Sequence, residues 1–259
     1  MNAIAALAVV VIKELYRRKD FYVLFVLTAV IVLGLWIGSL FHDEKIVGAL
    51  KEICFLLIWI SGLVIAVTTA ARQLPTERDN RTIFPLLAKP VTRGQIIAGK
   101  FAGCWLACAF ALVLFYACLG LIIASLQHGL NVAGYLEAFW MQWLFLGVVI
   151  AAVLWGSLIF PATSTNATFA IMVTLALLLL APQLSRIAID QSEPVRSAIY
   201  AFYFLIPHVE WFDLKDYALA GTGAGGAFFC LLSTLYAACY AGFFLIGTWL
   251  SFRRRTLTT

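Results

Sequence analysis

Six long stretches of this chain contain no charged residue and no histidine, and they constrain the fold more than any other feature. Each has at least 19 residues, and about 20 residues in an α-helix cross the hydrocarbon layer of a membrane. Because a backbone in lipid must satisfy its own hydrogen bonds, these stretches are expected to be helices. The predicted spans are Phe21–Phe41, Ile53–Ala71, Phe101–Leu126, Phe139–Phe160, Thr165–Leu184 and Gly225–Leu250.

The charge content supports a membrane location. Of the 259 residues, 63% are hydrophobic and 12% are charged, whereas a soluble domain has about 25% charged residues. We therefore predict an all-α membrane protein with a single transmembrane domain over residues 1–259. The formal charge of +5 does not indicate nucleic acid as a partner, since the basic residues lie between apolar runs rather than on one soluble face.

The placement of Lys and Arg predicts the orientation. If the N-terminus is inside the cell, 13 of the 18 Lys and Arg residues fall in inner segments and 5 in outer ones. Inner loops of membrane proteins carry the excess of positive charge. The chain is thus predicted to be a multi-pass inner-membrane protein with both termini cytoplasmic.

Two segments outside the spans are predicted to form short helices. In Met1–Asp20, one helical face carries apolar residues, which predicts an amphipathic helix on the cytoplasmic membrane surface; these are Ile4, Leu7, Val11, Leu15 and Tyr16. The outer connection Ser185–Ala224 is rich in aromatic residues, and one or two short helices are expected there.

The connection Arg72–Lys100 is the only strongly charged interior segment. Thr82 can cap a short helix over Ile83–Ala88 that Pro90 ends. Thr92 and Gln95 then form a capping box that starts the helix of the third span. The pattern predicts a short amphipathic helix on the cytoplasmic side between the second and third spans.

In this connection the chain resembles the ABC-2 type transporter permeases. The matching residues are Glu77-Arg78, Thr82, Leu86-Leu87, Pro90-Val91, Arg93 and Gly99-Lys100. The resemblance is strongest to small six-span permeases that include the membrane subunit of the copper-maturation exporter of nitrous oxide reductase and relatives in gliding motility and sodium export.

The resemblance implies the mode of action. The short helix would be a coupling helix that docks on a separate P-loop ATPase, and the working unit would be two permeases, identical or related, with two ATPases. ATP and Mg would bind the ATPase, so no cofactor, catalytic residue or metal site is expected on this chain. The implied docking residues are Glu77, Arg78, Arg81, Thr82, Ile83, Phe84, Leu86, Leu87, Pro90 and Arg93.

Two stripes of small or polar residues predict close helix packing in lipid. They recur every four residues and consist of Gly99, Gly103, Ala107 and Ala111 in one helix and Asn166, Ala170 and Thr174 in another. The sequence leaves open whether these stripes pack within one chain or between two.

Several patterns point to other functions and are rejected or kept as alternatives. Gly94–Lys100 has the spacing of a phosphate-binding loop, but Phe101 stands where Ser or Thr must bind magnesium, so the chain is not expected to hydrolyse ATP. Three histidines in outer connections (His42, His128 and His208) and six cysteines in apolar runs give no convincing metal site.

The predicted function is ATP-driven transport, as an exporter, of an unidentified substrate that the apolar spans suggest is hydrophobic or amphipathic. A secondary transporter or channel is the main alternative, although such carriers usually keep ionisable residues inside their spans. A membrane assembly factor is a further alternative. An intramembrane enzyme is disfavoured, because no span carries a base or a metal ligand.

Overall fold

The structure, a computed structural model, describes residues 3–17, 44–75, 92–126, 132–160, 162–189, 192–205, 207–213 and 226–254, together with Val26, Val30, Leu33, Gly34 and Ile37. Every regular element in these ranges is helical. The helices are α1 (Ala3–Arg17), α2 (Glu44–Gln73), α3 (Arg93–Leu126), α4 (Val132–Ile159), α5 (Thr163–Ile189), α6 (Val195–Leu205) and α7 (Gly226–Arg254), with a 3₁₀ turn at Val209–Phe212. The predicted all-α class is confirmed over this part of the chain.

Four helices in the described ranges are long and apolar enough to cross a membrane. Their apolar segments are Lys51–Gln73, Arg93–Leu121, Val132–Ile159 and Phe228–Arg253, which match the second, third, fourth and sixth predicted spans. α5 matches the fifth, with a shorter apolar part at Thr163–Leu179.

Most of the first predicted span, Phe21–Phe41, lies outside the described residues. Four of the described residues within it are helical and exposed, at the three- or four-residue spacing of one helical face; these are Val26, Val30, Leu33 and Ile37.

α4 lies at the centre of the bundle. It packs against α2, α3, α5 and α7, and Leu146, Ile150 and Leu154 along it are fully buried. Large apolar side chains on the outer faces of α5 and α7, such as Met172 and Leu235, are exposed. An apolar outer surface is what a helix bundle presents to lipid.

The boundary between α4 and α5 and the short elements before α7 fit the sequence predictions. α4 ends at Ile159 and α5 begins at Thr163, close to the predicted boundary between the fourth and fifth spans. The long connection before α7 contains the two short helical elements that its composition suggested, α6 and the 3₁₀ turn. Their position relative to a membrane stays a prediction.

The predicted N-terminal helix is present as α1, and its buried face has a partner that the sequence did not indicate. Ala8 and Val11 are buried where α1 packs on α3. Leu7 lies against Gly99, and Val11, four residues later, lies against Gly103, which is also four residues later in its own helix. α1 therefore runs alongside the start of α3 in the same direction, and its location at the membrane surface stays a prediction.

Candidate functional site

Two cations near the start of α3 bind the C-terminal ends of two other helices. The last four carbonyls of an α-helix have no partner within the helix, and cations are favourable there. Lys100 binds the end of α2, and Arg93 binds the end of α7. We call this end of the bundle, where α2 and α7 finish and α3 begins, the Arg93 end.

Lys100 is a buried cation within a helix that is long and apolar enough to span a membrane. Only 3% of its surface is exposed, and its Nζ donates to the backbone oxygen of Gln73 at 3.0 Å and to Gln73 Oε1 at 3.3 Å. Gln73 is the last residue of α2 and is itself buried. Because a buried ammonium is costly unless it is hydrogen-bonded, this contact fixes the start of α3 to the end of α2.

Arg93 fixes the last turn of α7. Its Nη1 donates to the backbone oxygen of Phe252 at 2.8 Å and to that of Arg253 at 3.3 Å. The guanidinium carbon also lies 5.4 Å from the centre of the Phe252 ring, within the range of a cation–π interaction. The described contacts of Arg93 are to its own chain, and its role in docking a partner protein stays a prediction.

The start of α3 is fixed by the predicted capping box. The backbone N–H of Thr92 donates to Gln95 Oε1 at 2.9 Å, and that of Gln95 donates to Thr92 Oγ1 at 3.3 Å. This confirms the capping box and places Lys100 two turns inside the helix. The same geometry makes residues 94–100 continuous helix, whereas a phosphate-binding loop needs a loop ahead of a helix.

The first small-residue stripe packs against α1. A Cβ atom on Gly99 would lie 2.7 Å from the Cβ of Leu7, and one on Gly103 would lie 2.7 Å from the Cβ of Val11. Both positions therefore exclude any side chain. Farther along the same stripe, Ala107 and Ala111 are also buried. For its two glycines, the stripe packs within one chain.

The second stripe joins α5 to α4. Asn166 is 1% exposed, and its Nδ2 donates to the backbone oxygen of Val153 in α4 at 3.1 Å. Its Oδ1 occupies the space that a Cβ on Gly156 would need. Thr174 instead donates to the oxygen of Ala170 in its own helix. Asn166 thus makes a hydrogen bond across a helix seam, again within one chain.

An apolar cleft of about 270 Å³ lies beside this second stripe, between α4, α5 and α7. Asn166 and Thr174 contribute to one wall, Tyr240 of α7 contributes to another, and Val209 and Phe212 of the 3₁₀ turn also line the cleft. Clefts lined by aliphatic and aromatic side chains with few polar groups suit apolar ligands.

His208 holds the segment before the 3₁₀ turn against α7. It is 5% exposed, its backbone N–H donates to the Tyr236 hydroxyl at 2.8 Å, and its ring lies 4.3 Å from that of Tyr203. His42 and His128 lie outside the described residues. Within the described ranges, no group of three His, Cys, Asp or Glu residues could hold a metal ion.

Two further polar contacts inside the bundle were not anticipated. Gln142 of α4 donates from Nε2 to the backbone oxygen of Ile58 at 3.2 Å and accepts a hydrogen bond from the Tyr116 hydroxyl at 2.8 Å. Trp105 and Trp143 each donate to the other's backbone oxygen, and their rings stack 4.2 Å apart. A lone amide in an apolar span was the available signal for the first contact.

Most of the predicted docking residues lie outside the described residues. Arg93 is the one that the structure describes. The others are Glu77, Arg78, Arg81, Thr82, Ile83, Phe84, Leu86, Leu87 and Pro90. Their docking role stays a prediction, and what the structure adds is the anchoring of the helices on both sides of them.

Comparison with known proteins assigns the family. The pattern of the ABC-2 family transporter proteins matches residues 5–255. A curated relative described as "Probable ABC transporter permease protein NosY", from Stutzerimonas stutzeri, is 27% identical over 144 residues. That match covers 54% of this chain and 52% of the relative, so the chain spans about half the length of the curated relative it matches. Because the family pattern covers nearly the whole chain and the apolar helices fit it, the chain belongs to the ABC-2 family of transporter proteins, as a multi-pass membrane permease.

Proposed function

We propose that this permease is the membrane subunit of an ATP-driven exporter whose energy comes from a separate P-loop ATPase. Two permeases, identical or related, and two ATPases form the working unit, and ATP and Mg bind only the ATPase. The ATPase docks on the segment 77–93 at the cytoplasmic face of the inner membrane, and both permease termini lie on that side.

The observation that carries this proposal is the anchoring on both sides of the docking segment. α2 ends at Gln73 and α3 begins at Arg93, and Lys100 binds these two helices together. Arg93 adds the end of α7 to the same framework. A segment anchored in this way can transmit force from a soluble motor to several spans, which a loosely attached loop cannot do.

The sequence of the segment supports a docking role. Leu86 and Leu87 lie on the predicted helix Ile83–Ala88 and outside every predicted span. Burying them in a groove of a partner is favourable by about 25 cal/mol per Å² of apolar surface. Arg78 and Arg81 flank them and can attract carboxylates on the partner.

The cleft supports an apolar or amphipathic substrate. Its volume of about 270 Å³ is just below the range of about 300–1,000 Å³ for typical ligand sites, so it suits a narrow apolar group. The resemblance to small permeases of export systems supports the export direction.

The test removes the apolar anchor from the docking segment. Leu86→Asp is expected to insert and express normally, because no span changes, but to lose the ATPase when the tagged permease is purified from its native membranes. Loss of a central apolar anchor weakens binding by about 2 kcal/mol, or roughly thirtyfold. Arg78→Ala should have a smaller effect, because salt partly screens an exposed charge.

The readout is the amount of P-loop ATPase per permease, measured by mass spectrometry. Wild-type stoichiometry in Leu86→Asp would remove this segment as the docking site.

A secondary transporter remains the second candidate, and Lys100 is the observation that favours it. An ionisable residue within a membrane span is by default a candidate for ion coupling. Vesicle experiments separate the two functions: an ATP-driven exporter keeps working after ionophores dissipate the ion gradients, and a secondary transporter stops.

A further inference from the structure

Lys100 lies outside the docking segment and the cleft, and its charge is not needed for the apolar packing of the bundle. A methionine could fill a similar volume at this position without the cost of removing a charge from water. Yet the side chain is 97% buried and bonded to Gln73 through two acceptors. Stability alone therefore does not explain why a buried cation is present at this position.

The position of the contact provides that explanation. Gln73 is where the chain leaves the bundle before the segment 76–91, and Lys100 lies two turns after the chain re-enters at Arg93. One side of α3 at this level is pressed against α1 through Gly99 and Gly103, where there is no space for a Cβ. Any shift of the start of α3 must consequently move α1 as well.

We propose that Lys100 is a positioning residue for energy coupling, which makes α1, α2 and the start of α3 move as one unit when the ATPase acts on the permease. This inference rests on the proposed function. Lys100 does not touch the ATPase or the substrate; it acts by capping the end of α2. Without it, a pull on the end of α2 would no longer shift the start of α3, and the part of the displacement that passes from α2 through α3 to α1 would be lost.

The structure provides a matched control in Gln142. Its side chain is also 3% exposed, and it also donates to a backbone oxygen of α2, that of Ile58. Ile58 lies fifteen residues before Gln73, or about 22 Å along the helix. Gln142→Met thus removes a buried polar contact to the same helix, far from the Arg93 end.

The experiment measures how far a nucleotide-induced change spreads. The complete permease–ATPase complex is placed in lipid nanodiscs, with and without ATP, Mg and vanadate, and amide hydrogen exchange is followed by mass spectrometry. In the wild type, vanadate trapping should change exchange over 77–93 and over α1. Lys100→Met should keep the ATPase and the change over 77–93, and should reduce the change over α1, since the charge-assisted hydrogen bonds that tie α2 to α3 are lost.

Two further variants separate a positioning role of Lys100 from a general loss of stability in the helix bundle. Lys100→Arg keeps donors for the end of α2 and should restore the change over α1, whereas Gln142→Met should leave it as in the wild type. If Lys100→Met does not assemble with the ATPase, Gln73→Met takes its place. This variant keeps the backbone acceptor and should give a smaller loss of the change over α1.

The inference would be overturned if the change over α1 in Lys100→Met were as large as in the wild type. If Lys100→Met does not assemble, the same result in Gln73→Met would overturn it. An equal loss of the change over α1 in Gln142→Met would overturn it as well. A wild-type permease that carries no ATPase, or that shows no nucleotide-dependent change over 77–93, contradicts the proposed function instead and removes the coupling role with it.

Discussion

Replacing Gly103 with alanine tests the packing of α1 on α3. The new Cβ would lie 2.7 Å from the Cβ of Val11, about 0.7 Å short of the 3.4 Å at which ordinary contacts begin. Because a Cβ is fixed to the backbone, no side-chain rotation relieves the clash, and α1 has to move. Overpacking of this kind typically costs about 1–3 kcal/mol.

The same helix provides the control for this variant. A Cβ on Gly120 would meet no atom within 4 Å, so Gly120→Ala changes the helix propensity of α3 without a clash. Since the propensity gain of about 1 kcal/mol is common to both variants, the difference between them isolates the steric cost. At about 2–4 °C for each kcal/mol, Gly103→Ala should melt several degrees below Gly120→Ala.

Thermal unfolding can be followed with a thiol-reactive dye, because Cys54, Cys104 and Cys108 are buried. Val11→Gly removes the opposing Cβ, so Gly103→Ala should cost less in the Val11→Gly background than in the wild type. Such a coupling energy is typical of residues in direct contact. Equal melting temperatures for Gly103→Ala and Gly120→Ala would refute the close approach of α1 and α3.

Two further predictions concern polar contacts. Gln142→Leu leaves the partly buried hydroxyl of Tyr116 without its acceptor and should cost about 1 kcal/mol; adding Tyr116→Phe should restore most of the melting temperature, and an additive loss would contradict the contact. Arg93→Ala should release the last turn of α7 and speed amide exchange over residues 249–254, with Arg93→Lys intermediate; unchanged exchange in Arg93→Ala would contradict the capping role.

Local patterns in the sequence predicted the helices because the physics that produces them is local. Long uncharged stretches can only be helical in lipid, and the Thr92–Gln95 pair fixes the start of α3 through two hydrogen bonds. The glycine stripe predicted close packing because a helix without Cβ atoms on one face admits another backbone. Each of these signals lies within a few residues of its effect.

The partners of these surfaces could not be predicted in the same way. Gly99 and Gly103 contact α1, about ninety residues earlier in the chain, and no local pattern identifies a partner at that separation. The predicted third span begins at Phe101, directly after Lys100, because the absence of charge defines each predicted span. The capping box was the available signal, since a helix that starts at Arg93 already contains Lys100.

Photo-crosslinking from Leu86 tests the central claim most directly, namely that a separate ATPase docks on the segment 77–93. A photoreactive residue is placed at Leu86, and in a second variant at Leu121, which is 73% exposed near the opposite end of α3. After irradiation of native membranes, the account predicts a crosslinked product from Leu86 that contains a P-loop ATPase, and no such product from Leu121. A product without the ATPase from Leu86, or equal ATPase yields from both positions, would contradict it.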